Sequence, residues 1–147
     1  MSKKWIFSVV LILAMGSVNA QFRKIPAVVT DAFKTKFATA SGVEWKDKLT
    51  SFEADFKSGE KDVRAFFSSK GEWIKTETKH TYNSLPLEVK DGFKKSKYAE
   101  LKVADVTEVE DKDKGLLYKM IVKKNDYQKK VLVFTKTGQL TSDYGLL

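Results

Sequence analysis

One short segment of this chain occurs twice. Ile25-Pro26-Ala27-Val28-Val29-Thr30-Asp31-Ala32-Phe33-Lys34 lies over Leu85-Pro86-Leu87-Glu88-Val89-Lys90-Asp91-Gly92-Phe93-Lys94, with Pro, Val, Asp, Phe and Lys identical. The only two prolines stand at the same place in both. A duplicated segment constrains the fold strongly, because whatever the first copy forms the second is expected to form as well. Proline suits the first position of a helix, where its missing N–H would be unpaired anyway. Apolar residues then recur as Ile25, Val29, Ala32, Phe33 and Phe37, and as Leu85, Val89, Gly92 and Phe93, one face of a 3.6-residue period. The other faces carry Thr30, Lys34, Lys90, Lys94 and Lys95. Two amphipathic helices are predicted, ending near Ala38 and Tyr98, with Phe33 and Phe93 as their aromatic knobs.

Behind each helix the period changes to two, which marks strands. Phe52, Ala54 and Phe56 alternate with Glu53, Asp55 and Lys57, and Val63, Ala65 and Phe67 with Arg64 and Phe66. Later, Tyr118, Met120 and Val122 alternate with Lys119, Ile121 and Lys123, and Leu132 and Phe134 with Val131 and Val133. Lys70-Gly71 and Thr137-Gly138 each turn the chain into a further strand, Glu72 to Lys79 and Gln139 to about Asp143. Strands near Val43 to Lys46 and Lys102 to Glu108 complete each set. Extra residues in the second set are assigned to the loop around Glu110 to Gly115. The predicted class is α+β: a tandem repeat of a helix followed by an antiparallel meander, with two helices packed on one face of an antiparallel sheet. Thr78 to Ser84 is the predicted linker.

Lys3 and Lys4, the apolar run Trp5 to Met15 and the small residues Val18 and Ala20 form a secretory signal peptide, residues 1–20, cleaved after Ala20. The run is too short to cross a bilayer. Residues 21–147 are then one domain made of two repeats, about 25–79 and 85–144. Losing Lys3 and Lys4 lowers the formal charge from +8 to +6. The protein is expected in the periplasm or outside the cell. With no cysteine and a single histidine, disulfide scaffolds, thiolate metal sites and paired-histidine sites are excluded. The basic residues are lysines except for Arg23 and Arg64, so the bidentate fork that reads bases and phosphates is scarce and no nucleic-acid partner is expected.

The helix starts at Ile25-Pro26 and Leu85-Pro86, the Phe33-Lys34 and Phe93-Lys94 pairs, the Phe52-to-Phe56 and Tyr118-to-Val122 strands, and the turns at Gly71 and Gly138 together resemble the PepSY-like, beta-lactamase-inhibitor-like family of secreted bacterial proteins. The resemblance covers about Ile25 to Tyr144. It implies a non-enzymatic exported domain that binds or inhibits another protein, and it carries over no inhibitory residue.

Neither catalysis nor metal binding has a motif to stand on. His80 is read as a solvent-exposed linker histidine with no nucleophile elbow in the chain. Glu53 and Asp55 are read as solvated partners of lysines. Asp111-Lys112-Asp113-Lys114-Gly115 opens like a calcium loop, but its glycine comes one place early and Leu116 and Leu117 follow where oxygen ligands are required. No cofactor, metal or catalytic residue is assigned. What stands out is the sheet face turned away from the helices. Alternation puts Arg64, Phe66, Ile121, Val131 and Val133 there, flanked by Lys119, Lys123 and Lys130, where a face left to water should be polar. This is the candidate protein-binding face. A self-associating or structural envelope protein using the same face is the alternative. Trp45 and Trp73 are left unassigned between face and core.

Overall fold

The computed structural model describes residues 23–146. The predicted signal peptide and its cleavage site lie outside the described residues. Two helices, α1 (Ala27–Lys36) and α2 (Leu87–Lys95), accompany eight strands. These are β1 (Ser41–Asp47), β2 (Phe52–Ser58), β3 (Lys61–Phe67), β4 (Trp73–His80), β5 (Lys102–Asp111), β6 (Gly115–Lys123), β7 (Lys129–Thr135) and β8 (Leu140–Leu146).

The predicted tandem of helix-plus-meander units, with two helices packed on one sheet face, does not describe this structure. What forms is one eight-stranded antiparallel meander in chain order, β1 to β8, with two short helices set before β1 and between β4 and β5. The physical reason lies at the supposed boundary. Thr78 to His80 is strand and not linker, and β4 pairs with β5 from Lys75↔Asp111 to His80↔Val106. Backbone groups at the midpoint are thus satisfied across the two halves, and the ladder runs unbroken. Only a 3-10 turn, Tyr82–Ser84, separates β4 from α2.

Other boundaries shift for local reasons. Pro26 and Pro86 are the caps before the helices, at φ −62°, ψ 145° and φ −54°, ψ 148°, not their first residues. The helices stop at Lys36 and Lys95, before the predicted Ala38 and Tyr98. The added residues expected in the loop around Glu110 to Gly115 lengthen β5 and β6 to 10 and 9 residues, and only Lys112 to Lys114 turn.

Apolar side chains gather on one face, called inner here, in two clusters. Val29 and Phe33 join Phe52, Ala54, Phe56, Val63, Ala65 and Phe67, with Trp45 and Trp73 partly buried against them. Val89 and Phe93 join Val106, Tyr118, Met120, Val122, Leu132 and Phe134. Phe33 lies edge-on to Phe56 at 5.1 Å and to Trp45 at 5.3 Å, a favoured aromatic geometry. Both tryptophans therefore belong to the core side. Trp73 Nε1 donates to Thr76 Oγ1 at 2.9 Å, which satisfies a buried hydroxyl. Among the described residues no helix is long and apolar enough to cross a membrane.

Candidate functional site

The outer face is read directly from the register. Lys46↔Glu53↔Phe66↔Lys75 forms one cross-strand row, and Glu44↔Asp55↔Arg64↔Glu77↔Val109↔Leu117 the next. Beyond them run Thr107↔Lys119↔Val133 and Asp105↔Ile121↔Val131↔Tyr144. Two territories result. Across β1 to β4 the face is a lattice of alternating charge, and across β5 to β8 apolar Val109, Leu117, Ile121, Val131, Val133 and Tyr144 stand among Asp105, Lys119 and a row of lysines.

In the charged territory Lys46 contacts Asp55 and lies 3.5 Å from Glu53, whose other oxygen is 3.2 Å from Lys48 Nζ. Arg64 reaches Asp55 at 3.4 Å and Glu77 at 3.7 Å, Lys75 holds Glu77 at 2.6 Å, and Lys79 contacts Asp105. Glu53 is buried, 3% exposed, which corrects its reading as a solvated surface charge. Flanking strands and lysine stems cover it. Burial pushes the Glu77 carboxyl up, but the Lys75 hydrogen bond and the charges of Lys119, Lys75 and Arg64 outweigh this and hold it below the usual carboxylate range. Asp55 differs from both. Its Oδ1 is buried with no hydrogen-bond partner, because the Arg64 contact is an ion pair without hydrogen-bond alignment.

A trough of about 580 Å³ opens on this face, with Asp55 among its lining residues. Its walls run from Gly42 and Glu44 of β1, past Arg64 and Glu77, to Lys119 and Ile121 of β6, so the sheet bends toward its outer side.

The five residues expected on this face meet different fates. Arg64 projects from it with half its side chain exposed. Phe66 is half-buried under Lys75, whose Nζ lies 4.4 Å from the ring centroid. Ile121 and Val133 are half-buried neighbours of Lys119. Val131 is only 3% exposed, closed between Ile121 and Tyr144, so it offers no free surface. Of the flanking lysines, Lys119 is on this face, but Lys130 is opposite Val122 on the inner side, 5.7 Å from the Tyr98 ring. Sequence reasoning missed Tyr144, Val109 and Leu117, whereas Asp55 stands where it was expected, outward and paired with Lys46.

His80 is not an exposed linker residue. It ends β4 on the inner side, its side chain 11% exposed, with Nδ1 3.2 Å from Ser84 Oγ and Nε2 3.6 Å from Glu108. Serine, histidine and glutamate thus stand together, yet the serine is committed. Ser84 Oγ donates to the Thr81 carbonyl at 2.9 Å and accepts the Thr81 N–H at 3.2 Å in a capping box. Its proton therefore points at a carbonyl and not at the imidazole, which is no arrangement for activating a nucleophile. Nearby, burial and then Glu108 push the Tyr118 phenol up to about 12, so it stays protonated. Asp111 Oδ1 accepts the N–H groups of Asp113 and Lys114 at 2.9 and 3.0 Å, the ordinary closure of a polar hairpin. Among the described residues no three histidine, aspartate or glutamate side chains gather as metal ligands.

Comparison with known proteins bears on this geometry. A protein of the DUF2874 family from Bacteroides uniformis superposes at TM-score 0.78 with 28% identity, covering 82% of this chain and 88% of its own. One from Bacteroides eggerthii, described as among "putative periplasmic proteins", gives 0.77 and 27%, covering 83% and 89%. A BLIP-like protein from Bacteroides fragilis gives 0.80 over 86% and 89% of the two chains, and at 23% identity it shows the fold alone. No curated protein matches the chain. The family model described as "Putative beta-lactamase-inhibitor-like, PepSY-like" matches residues 50–142, β2 into β8, and the chain belongs to that family.

Proposed function

We propose that this is an exported, non-catalytic binding module that grips another protein with the outer face of its sheet. Membership of a beta-lactamase-inhibitor-like family supports a binder without chemistry of its own. A similar protein described as periplasmic supports export. The observation that carries the reading is the trough of about 580 Å³ on the outer face, lined by charged and apolar side chains together. Beside it, Arg64 offers a guanidinium and Ile121, Val133 and Tyr144 offer apolar contact, the mixture found where proteins meet.

A photo-crosslinking side chain at Ile121 or Tyr144, in cells that export the protein, is expected to join it to a second protein. The same group at Lys34, an exposed position on α1, is expected to capture nothing. Equal capture from both positions would contradict the proposal. Self-association is the second reading, and β8 favours it: this seven-residue edge strand has no lysine or proline to blunt it. Crosslinks only between identical chains would establish that reading in place of the first.

A further inference from the structure

One end of the sheet carries an arrangement that folding disfavours. Lys102 of β5 pairs with Lys123 of β6, which pairs with Lys129 of β7, so three ammonium groups share one cross-strand row. Like charges directly opposite one another destabilise a sheet. Lys124 and Lys130 stand on the same hairpin. Among the described residues the only carboxylate paired with any of the five is Asp126, 2.8 Å from Lys123. Asp126 reports the local field: the Lys123 hydrogen bond and charge, with Lys129 and Lys102 behind, hold its carboxyl below the usual range against some desolvation. At the hairpin tip Tyr127 is 95% exposed, and Leu146 at the end of β8 is 39% exposed. Together with Leu101, Lys124, Lys129 and Lys130 they line a shallow hollow of about 410 Å³.

We propose that this end of the sheet docks on an anionic lipid surface, the lysines facing phosphates and Tyr127 and Leu146 entering the headgroup layer. Three strands set about 4.8 Å apart spread the row over roughly 10 Å, which matches a field of charges better than one small anion. Tyr127, almost fully exposed beside Lys124, Lys129 and Lys130, suits a membrane–water boundary, where tyrosine is favoured. Each lysine held near such a surface raises affinity about fivefold. This inference is independent of the trough, which lies among different residues.

The test is co-sedimentation of exported protein with vesicles, either pure phosphatidylcholine or equal parts phosphatidylcholine and phosphatidylglycerol. Wild type is expected to bind only the mixed vesicles, and less as salt rises. Lys102→Glu with Lys129→Glu is expected to weaken binding at least about tenfold, and Tyr127→Ser a few-fold. Wild type and variants share one N-terminus, so the comparison isolates these side chains. The two glutamates would flank Lys123, so the melting temperature is expected to hold or rise. Should it fall, Lys102→Gln with Lys129→Gln supplies the same comparison without new charges. Equal binding to pure phosphatidylcholine, or undiminished binding by the folded lysine variants, would overturn the proposal. Full competition by millimolar soluble glycerol phosphate would also overturn it in favour of a free-phosphate site, and capture only by a protein would mark the end as a protein interface.

Discussion

Phe33 and Phe93 are each 5% exposed, one in each hydrophobic cluster, and their burial was legible because an apolar side chain at helical spacing has one place to go. Truncating either to alanine is expected to cost about 3–5 kcal/mol in denaturant unfolding. A loss under about 1 kcal/mol at either position would contradict its place in the core. The Glu53 carboxylate was not legible in this way. Glu53 alternates with apolar residues and reads as surface, but its burial is set by Lys46 across the β1–β2 ladder and by Lys48 of the turn between them, which a local pattern does not bring together, while Asp55 keeps the lysine partner expected of it with its side chain 29% exposed. Glu77 belongs with them. Its folded pKa lies below its ordinary value, so it contributes stability above that value and loses the contribution as pH falls through the lowered one. Glu77→Gln is therefore expected to flatten the decline in melting temperature below about pH 5. An unchanged acid slope would contradict this.

Among the elements, α2 and the β7–β8 turn meet backbone to backbone. A Cβ on Gly92 would overlap the Gly138 carbonyl oxygen, and one on Gly138, at φ +80°, would overlap the Glu88 carbonyl oxygen. Gly92→Ala is expected to destabilise by about 1–3 kcal/mol because backbone must move, while Gly145→Ala, with open space around it, should change little. Equal effects at the two positions would contradict this contact. Both helices and the alternating strands announced themselves by period, and Gly71 and Gly138 by turn chemistry. The ends did not. Pro26 and Pro86 precede their helices because the chain is still extended there, and β4 continues through His80 because β5 supplies its hydrogen-bond partners. A strand's length depends on the strand beside it, and that neighbour lies more than twenty residues away in the chain.

Across the whole molecule, one eight-stranded meander in chain order takes the place of the expected tandem of helix-plus-meander repeats, since the β4–β5 pairing joins the halves. That sheet gives its inner face to folding and keeps a bent outer face divided between charge and apolar surface. Five outer-face residues could be named from alternation alone. Their division into exposed Arg64, half-buried Phe66, Ile121 and Val133, and buried Val131 could not, because cross-strand neighbours set it, Lys75 over Phe66 and Ile121 and Tyr144 on either side of Val131. The most direct measurement is the binding isotherm of the crosslinked partner, once purified, against wild type and a variant combining Arg64→Ala, Ile121→Ser and Tyr144→Ser. A loss of about a hundredfold in affinity is expected, since a few central side chains dominate such contacts, with the variant still folding cooperatively. An unchanged isotherm in the folded variant would contradict the assignment of function to the outer face.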